Sequence, residues 1–405
     1  MLNQKLTYLS SLLIFLYSTT ILATGKSYSY IAAMLCLVSL TTLPKLIKNK
    51  RPTDFYLITS AFMGYFLTTG LSLLLLGGKL SNLDMPSRVL FVIPVFIFLL
   101  HYPPKKEWLF SGILAGSFLS GMIALYHYQI LEIRAFSSFK YMVIQSGNMA
   151  MSLGVFSLII SIQYLKDKRG YLTAIALICA SFGFLASLLS GARGGWLIAP
   201  FVIVWLLLIN RQLITKKVIL VLLIISVVGG VVSKDLVERR VQKVIDDLTL
   251  FSEKGNSNTS VGARLEMWKS GIYTFKSNPI FGSGYQNRLQ HKQALVDQKI
   301  VAPVVLKYER LHNNYIEEAS TKGAIGILAL LLFFCVPLYL FSSTHKVKHN
   351  PNTDIFRQLG IAHIVLVMGY CLTQNYVNHH SGILHYLFYT VIFYALFVQT
   401  DKLKK

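Results

Sequence analysis

The sequence predicts an all-α integral membrane protein of about twelve transmembrane helices with one large external helical loop. Three observations predict it. Hydrophobic residues make up 54% of the 405 and charged residues only 14%, against about 25% charged in soluble domains. Apolar runs that suffice to cross a bilayer core, about 17–25 residues each, recur along the whole chain. Between those runs the basic residues alternate, one set of short connections holding nineteen Lys and Arg and the opposite set six. Cytoplasmic loops retain the excess of positive charge, so both termini are expected in the cytoplasm.

The expected spans are 7–23, 29–43, 55–76, 88–102, 108–126, 149–165, 171–190, 195–209, 217–232, 322–341, 359–377 and 383–398. They divide the chain into 1–232 with nine helices, a loop at 233–321, and 322–405 with three helices and a cytoplasmic tail. The first span runs into Ala23-Thr-Gly-Lys26 without a convincing small-residue cleavage site, so it reads as an anchor and not as a removed signal peptide. Cys36, Cys179, Cys335 and Cys371 fall inside spans, where they form no loop disulfide and have no metal-ligand spacing. The outer loops 77–88 and 127–148 read equally as the lining of an entrance or as solvated connections.

Spans seven and eight are joined by Ser190-Gly-Ala-Arg-Gly-Gly-Trp196. Glycines permit tight backbone geometry and the close approach of a bulky group. Arg193 is thereby held at the mouth of a helix pair, where an arginine marks a site unless it only snorkels to head groups. In the long loop, apolar residues at helical spacing predict an amphipathic helix over 234–248, and 253–260 reads as a linker. A second helix is expected over 263–277, with Arg264, Met267, Trp268, Gly271 and Phe275 near one face, and a third over 286–300.

The loop returns to the membrane through Glu309-Arg-Leu-His-Asn-Asn-Tyr-Ile-Glu-Glu318. Asn313 or Asn314 is expected to cap the next helix, and the adjacent Glu317 and Glu318 read as helix surface. His312 stays just outside that helix, either as a loop hydrogen-bonder or as a general base, since an imidazole with a pKa of ~6.5 changes charge near neutrality. His379 and His380 read as polar groups of the last outer turn.

The formal net charge of +22 has a cytoplasmic share that insertion explains and an external share that it does not. The external basic residues lie close to spans and form no separate domain, which argues against nucleic acid and for membrane lipid head groups or a lipid-linked phosphate. Arg193, Arg264 and His312 are expected on one side of the membrane. Two arginines on separate elements can grip a pyrophosphate two-prongedly and neutralise it as a leaving group, while a histidine deprotonates an incoming hydroxyl. That set suffices for glycosyl transfer from a lipid pyrophosphate without metal or other cofactor.

At these residues the chain resembles the bacterial O-antigen ligases of the O-antigen ligase and polymerase superfamily. The likeness lies in Ser190-Gly-Ala-Arg-Gly-Gly-Trp196, in Gly262-Ala-Arg264 with Trp268 and Asn278-Pro-Ile-Phe-Gly-Ser-Gly284, and in His312-Asn-Asn-Tyr-Ile316 with Gly323 and Gly326. The resemblance implies a twelve-helix enzyme of the C-type glycosyltransferase kind in the bacterial inner membrane, acting on the periplasmic face in lipopolysaccharide biosynthesis. It implies inverting transfer of O-antigen from undecaprenyl pyrophosphate to a sugar hydroxyl of lipid A–core, needing neither metal nor ATP. It also implies that His312 is the base and that Arg193 and Arg264 bind the pyrophosphate. Lys26 and Arg88 are secondary candidates for substrate phosphates. An O-antigen polymerase, with a second lipid-linked glycan as acceptor, and a lipid-linked glycan transporter are the alternatives.

Overall fold

The computed structural model describes residues 2–138, 140–213, 238, 241–253, 255–343 and 353–402. The described residues form helices and turns without a strand. In chain order the helices are α1 (Leu2–Thr20), α2 (Ser27–Leu46), α3 (Thr53–Leu76), α4 (Arg88–His101), α5 (Lys106–Leu125), α6 (Val143–Lys166), α7 (Gly170–Ser190) and α8 (Arg193–Ile209). Residues 241–253 form α9. There follow α10 (Ser260–Ser277), α11 (Arg288–Asp297), α12 (Asn314–Ser342), α13 (Asp354–Thr373) and α14 (His380–Lys402).

Nine helical stretches among the described residues are long and apolar enough to cross a membrane. They fall at α2 to α7 and α12 to α14, while α8 is apolar but only 17 residues long. The expected span at 217–232 and the start of the expected amphipathic helix at 234–248 lie outside the described residues.

The bundle is built around α14, whose apolar stretch is buried over its full length. It packs against α2, α4, α6, α12 and α13. Its faces are aromatic, and several of the buried hydroxyls around them are hydrogen-bonded, which offsets the cost of placing them in a bilayer. The Tyr386 hydroxyl donates to the Phe333 carbonyl at 2.6 Å, Tyr17 donates to Leu384 at 3.3 Å, and Tyr394 bonds Asp54. The loop helices form a separate small core in which Ala263 and Met267 of α10 meet Val301, Val304, Val305 and Leu311.

Helix α12 starts at Asn314, well before the apolar run at 322. Asn313 caps it, accepting from the backbone N–H of Tyr315 and Ile316 at 2.9 and 3.1 Å. The helix breaks at Gly323, where φ is 64° and an added Cβ would lie 2.3 Å from the Ile280 carbonyl oxygen. Glycine alone adopts that conformation without a steric penalty. Hydropathy therefore marks the break, and the polar turns before it are helical too.

Candidate functional site

Four connections meet at one end of the bundle: the turn between α7 and α8, the first turns of α10, the segment 308–313, and the segment 374–379 after α13. The first is tight because Gly191 ends α7 in the left-handed conformation, with φ 62°. Ala192 then caps α8 and Arg193 becomes its first residue. The turn is seated on α6 and α13, since a Cβ at Gly147 would meet Ser190 and Ala192, and one at Gly194 would meet Thr373 Oγ1 at 2.5 Å. An arginine in a first helical turn opposes the helix dipole, which favours negative charge there.

Arg264 stands in the first turns of α10, whose start is capped by the Thr259 hydroxyl accepting from Gly262 N at 3.0 Å. Burial, and next the positive charge of Arg193, hold the Arg264 guanidinium below its usual pKa, with Tyr308 opposing. Two like charges are thus close enough to interact in a half-buried region. Like charges at this range raise each other's cost of ionisation, and an anion placed between them would offset it.

His312 lies between these groups and the rest of the loop. Its φ is 53°, in the left-handed region that few non-glycine residues occupy. Three bonds enforce that backbone around it. Trp268 Nε1 donates to the Leu311 carbonyl at 3.1 Å, Leu311 N donates to Glu317 Oε2 at 2.8 Å, and Asn313 Nδ2 donates to the Leu372 carbonyl at 3.0 Å. The imidazole Nδ1 bonds Gln374 Oε1, and the ring packs edge-on to Tyr308 with centroids 5.9 Å apart. With the amide oxygen as acceptor, Nδ1 carries the hydrogen and Nε2 keeps its lone pair. Burial draws the His312 pKa down; the Gln374 bond and Glu317 work against it, while Arg264 and Arg310 add to it. The ring is neutral at neutral pH and able to accept a proton.

The structure therefore brings Arg193, Arg264 and His312 into one electrostatic cluster. Arg88 reaches its edge, with Nη2 3.4 Å from His380 Nδ1. Lys26 is exposed in the turn before α2, and among the described contacts nothing ties its side chain to the cluster. Glu317 and Glu318 correct the expectation of a helix surface, being 2% and 0% exposed. Glu317 holds Arg288 Nη1 at 2.8 Å and the backbone beside His312. Glu318 pairs with Lys322, whose Nζ also donates to Thr69 Oγ1 of α3 at 2.9 Å.

Residues outside the expected set complete the site. Gln374 has no sequence signal, being one amide at the end of an apolar helix. Arg310 donates to the Asn378 carbonyl at 2.6 Å and joins 308–313 to 374–379. His379, expected as a loop polar group, belongs to the cluster: burial first, then the charges of Arg310, His312 and His380, take its pKa down to about 4. Among the described residues no three His, Cys, Asp or Glu side chains converge to hold a metal.

Residues 175–331, which contain Arg193, Arg264 and His312, match the O-antigen ligase family model. Over 392 residues the chain is 31% identical to an uncharacterized protein of Haemophilus influenzae, covering 95% of this chain and 97% of that one. Over 242 residues it is 26% identical to the O-antigen ligase of Escherichia coli, covering 58% of this chain and 56% of that protein.

Proposed function

Because residues 175–331 match the O-antigen ligase family model and 58% of the chain is similar to the O-antigen ligase of Escherichia coli, we propose that this chain is an inverting glycosyltransferase. It transfers O-antigen from undecaprenyl pyrophosphate to a sugar hydroxyl of lipid A–core. The observation that carries this reading is the pair of mutually repelling arginines beside a neutral histidine. Arg193 and Arg264 grip the pyrophosphate, each with a planar fork of donors. His312 Nε2 takes the proton of the acceptor hydroxyl as its oxygen attacks the anomeric carbon. The bond from that carbon to the pyrophosphate oxygen breaks, and undecaprenyl pyrophosphate leaves with the electron pair. Its developing charge falls on donors already in position, which is where fixed electrostatics lower a barrier most. The fold is of the C-type glycosyltransferase kind with twelve spans, in the inner membrane, with both termini cytoplasmic and the site periplasmic. The excess of Lys and Arg in one set of connections supports that orientation.

The test is transfer by the purified protein in nanodiscs, with undecaprenyl-pyrophosphate-linked O-antigen and lipid A–core. Polysaccharide should appear on lipid A–core and vanish with His312→Ala. Glycan lengthening on undecaprenyl would make the protein a polymerase. Donor crossing the bilayer without a covalent product would make it a transporter.

A further inference from the structure

Tyr308 borders an open basin of about 720 Å³. Its wall carries four cations, Lys79, Arg288, Lys292 and Lys307, and one carboxylate, Glu309. The four are not equivalent. Arg288 is bound to Glu317 at 2.8 Å and to the Glu309 carbonyl at 3.1 Å. Lys292, 3% exposed, donates to the carbonyls of Tyr308 at 2.6 Å and Glu309 at 3.2 Å. These two form a fixed floor that braces the segment leading to His312. Lys79 and Lys307 stand exposed at the rim, and among the described residues neither lies in an ion pair.

Location says what such a basin serves. Tyr308 is shared, lining the basin with one face and packing edge-on against His312. Helix α8, which carries Arg193, packs on α6 and α13, whereas Lys79 follows α3, which packs on α4 and α12. The imidazole therefore has the basin next to it through Tyr308, while Arg193 stands on a different helix from the basin's cations. Lys79, Arg288, Lys292 and Lys307 are distinct from Arg193 and Arg264, and holding one pyrophosphate gives this second set of cations no task.

We propose that the basin docks the acceptor as an anionic glycan, its phosphate groups on Lys79 and Lys307 and a hydroxyl reaching His312 past Tyr308. The assignment rests on the transfer reaction proposed above and names what selects the second substrate. Burial, opposed by Glu317 and reinforced by Arg288, draws Lys292 down to about 8, as expected of a floor that is dry and already positive. An anion entering above it is attracted by the floor and held by the rim.

The experiment compares the full-length protein with Lys79→Gln/Lys307→Gln in phosphatidylcholine nanodiscs. The acceptor is deacylated lipid A–core, either with its phosphates or after their removal by hydrogen fluoride. For the phosphorylated acceptor the double variant should raise KM at least about tenfold, as loss of two charge-assisted contacts implies. Its kcat and donor KM should stay unchanged, and the two proteins should not differ on the dephosphorylated acceptor. A raised donor KM, or no change in either KM, overturns the assignment. So does an effect that appears only in phosphatidylglycerol nanodiscs, which would make the basin a lipid head-group site. Calorimetric binding of the same acceptor to His312→Ala separates this claim from the reaction itself. Binding that the lysine changes abolish, without transfer by any protein, sinks the ligase reading and keeps the basin. Transfer with undiminished binding to the double variant sinks the basin and keeps the ligase.

Discussion

His312 has one ring nitrogen committed to Gln374 and the other left to accept a proton. General-base removal costs about 10²–10⁴ in rate, so His312→Ala should lose that much transfer in the nanodisc assay with donor KM nearly unchanged. Activity needs the neutral ring, so kcat/KM should be full above the His312 pKa and fall as pH drops through it. Burial sets that midpoint below the ordinary ~6.5. Gln374→Glu puts a carboxylate on Nδ1, favours the imidazolium, and should move the acid limb to higher pH; an unmoved limb would separate Gln374 from the titrating group. Arg193→Lys and Arg264→Lys keep the charge but lose the fork, and each should raise donor KM or lower kcat by about tenfold or more. Of the expected residues, Arg193 stands out from a glycine-rich turn between apolar spans, whereas Arg264 and His312 lie in polar stretches and became candidates only because all three were expected on one side of the membrane. Gln374 was not, because a single amide after Thr373 carries no pattern; only the packing of α13 beside 308–313 gives it a role.

Helix α12 carries two unlike halves, a polar entry that organises the site and an apolar span. Sequence reading placed the cap at Asn313 or Asn314, which the structure bears out, but began the apolar span only at 322, since hydropathy does not register a helix whose buried face is charged. Glu317 and Glu318 looked like surface for the same reason: their partners, Arg288 and Lys322, come from a distant loop and from the next turn. Breaking a buried ion pair from one side costs about 3–5 kcal/mol. Glu318→Gln should therefore destabilise the protein by that order in detergent unfolding, and adding Lys322→Met should recover most of the loss. Gly323→Ala forces a side chain into a left-handed break against the Ile280 carbonyl; strain of about 1–3 kcal/mol is expected, read as a lower unfolding midpoint.

At the scale of the molecule, the alternation of apolar and basic segments carried most of the architecture, because a bilayer constrains length and charge far more than it constrains contacts. The order in which helices pack was not legible, nor was the basin, whose rim lysines Lys79 and Lys307 come from 77–87 and 303–308 and look individually like ordinary solvated residues. Orientation has a direct test. In a chain with its four cysteines replaced, Leu83→Cys and Tyr308→Cys should react with an impermeant maleimide added to spheroplasts, and Lys168→Cys only after permeabilisation. The reverse pattern would turn the site to the cytoplasm.

Helix α14 is enclosed by helices that all precede it in the chain. During synthesis those helices enter the membrane around a place not yet filled, and the segment 374–379 gains its far anchor only when α14 seats. Until then Arg310 has no fixed Asn378 to bind, and the loop bearing His312 lacks one of its ties. Under the transfer reaction proposed above, a chain whose α14 has not yet seated is thus inserted but inactive, because the loop that carries the base is not yet tied down.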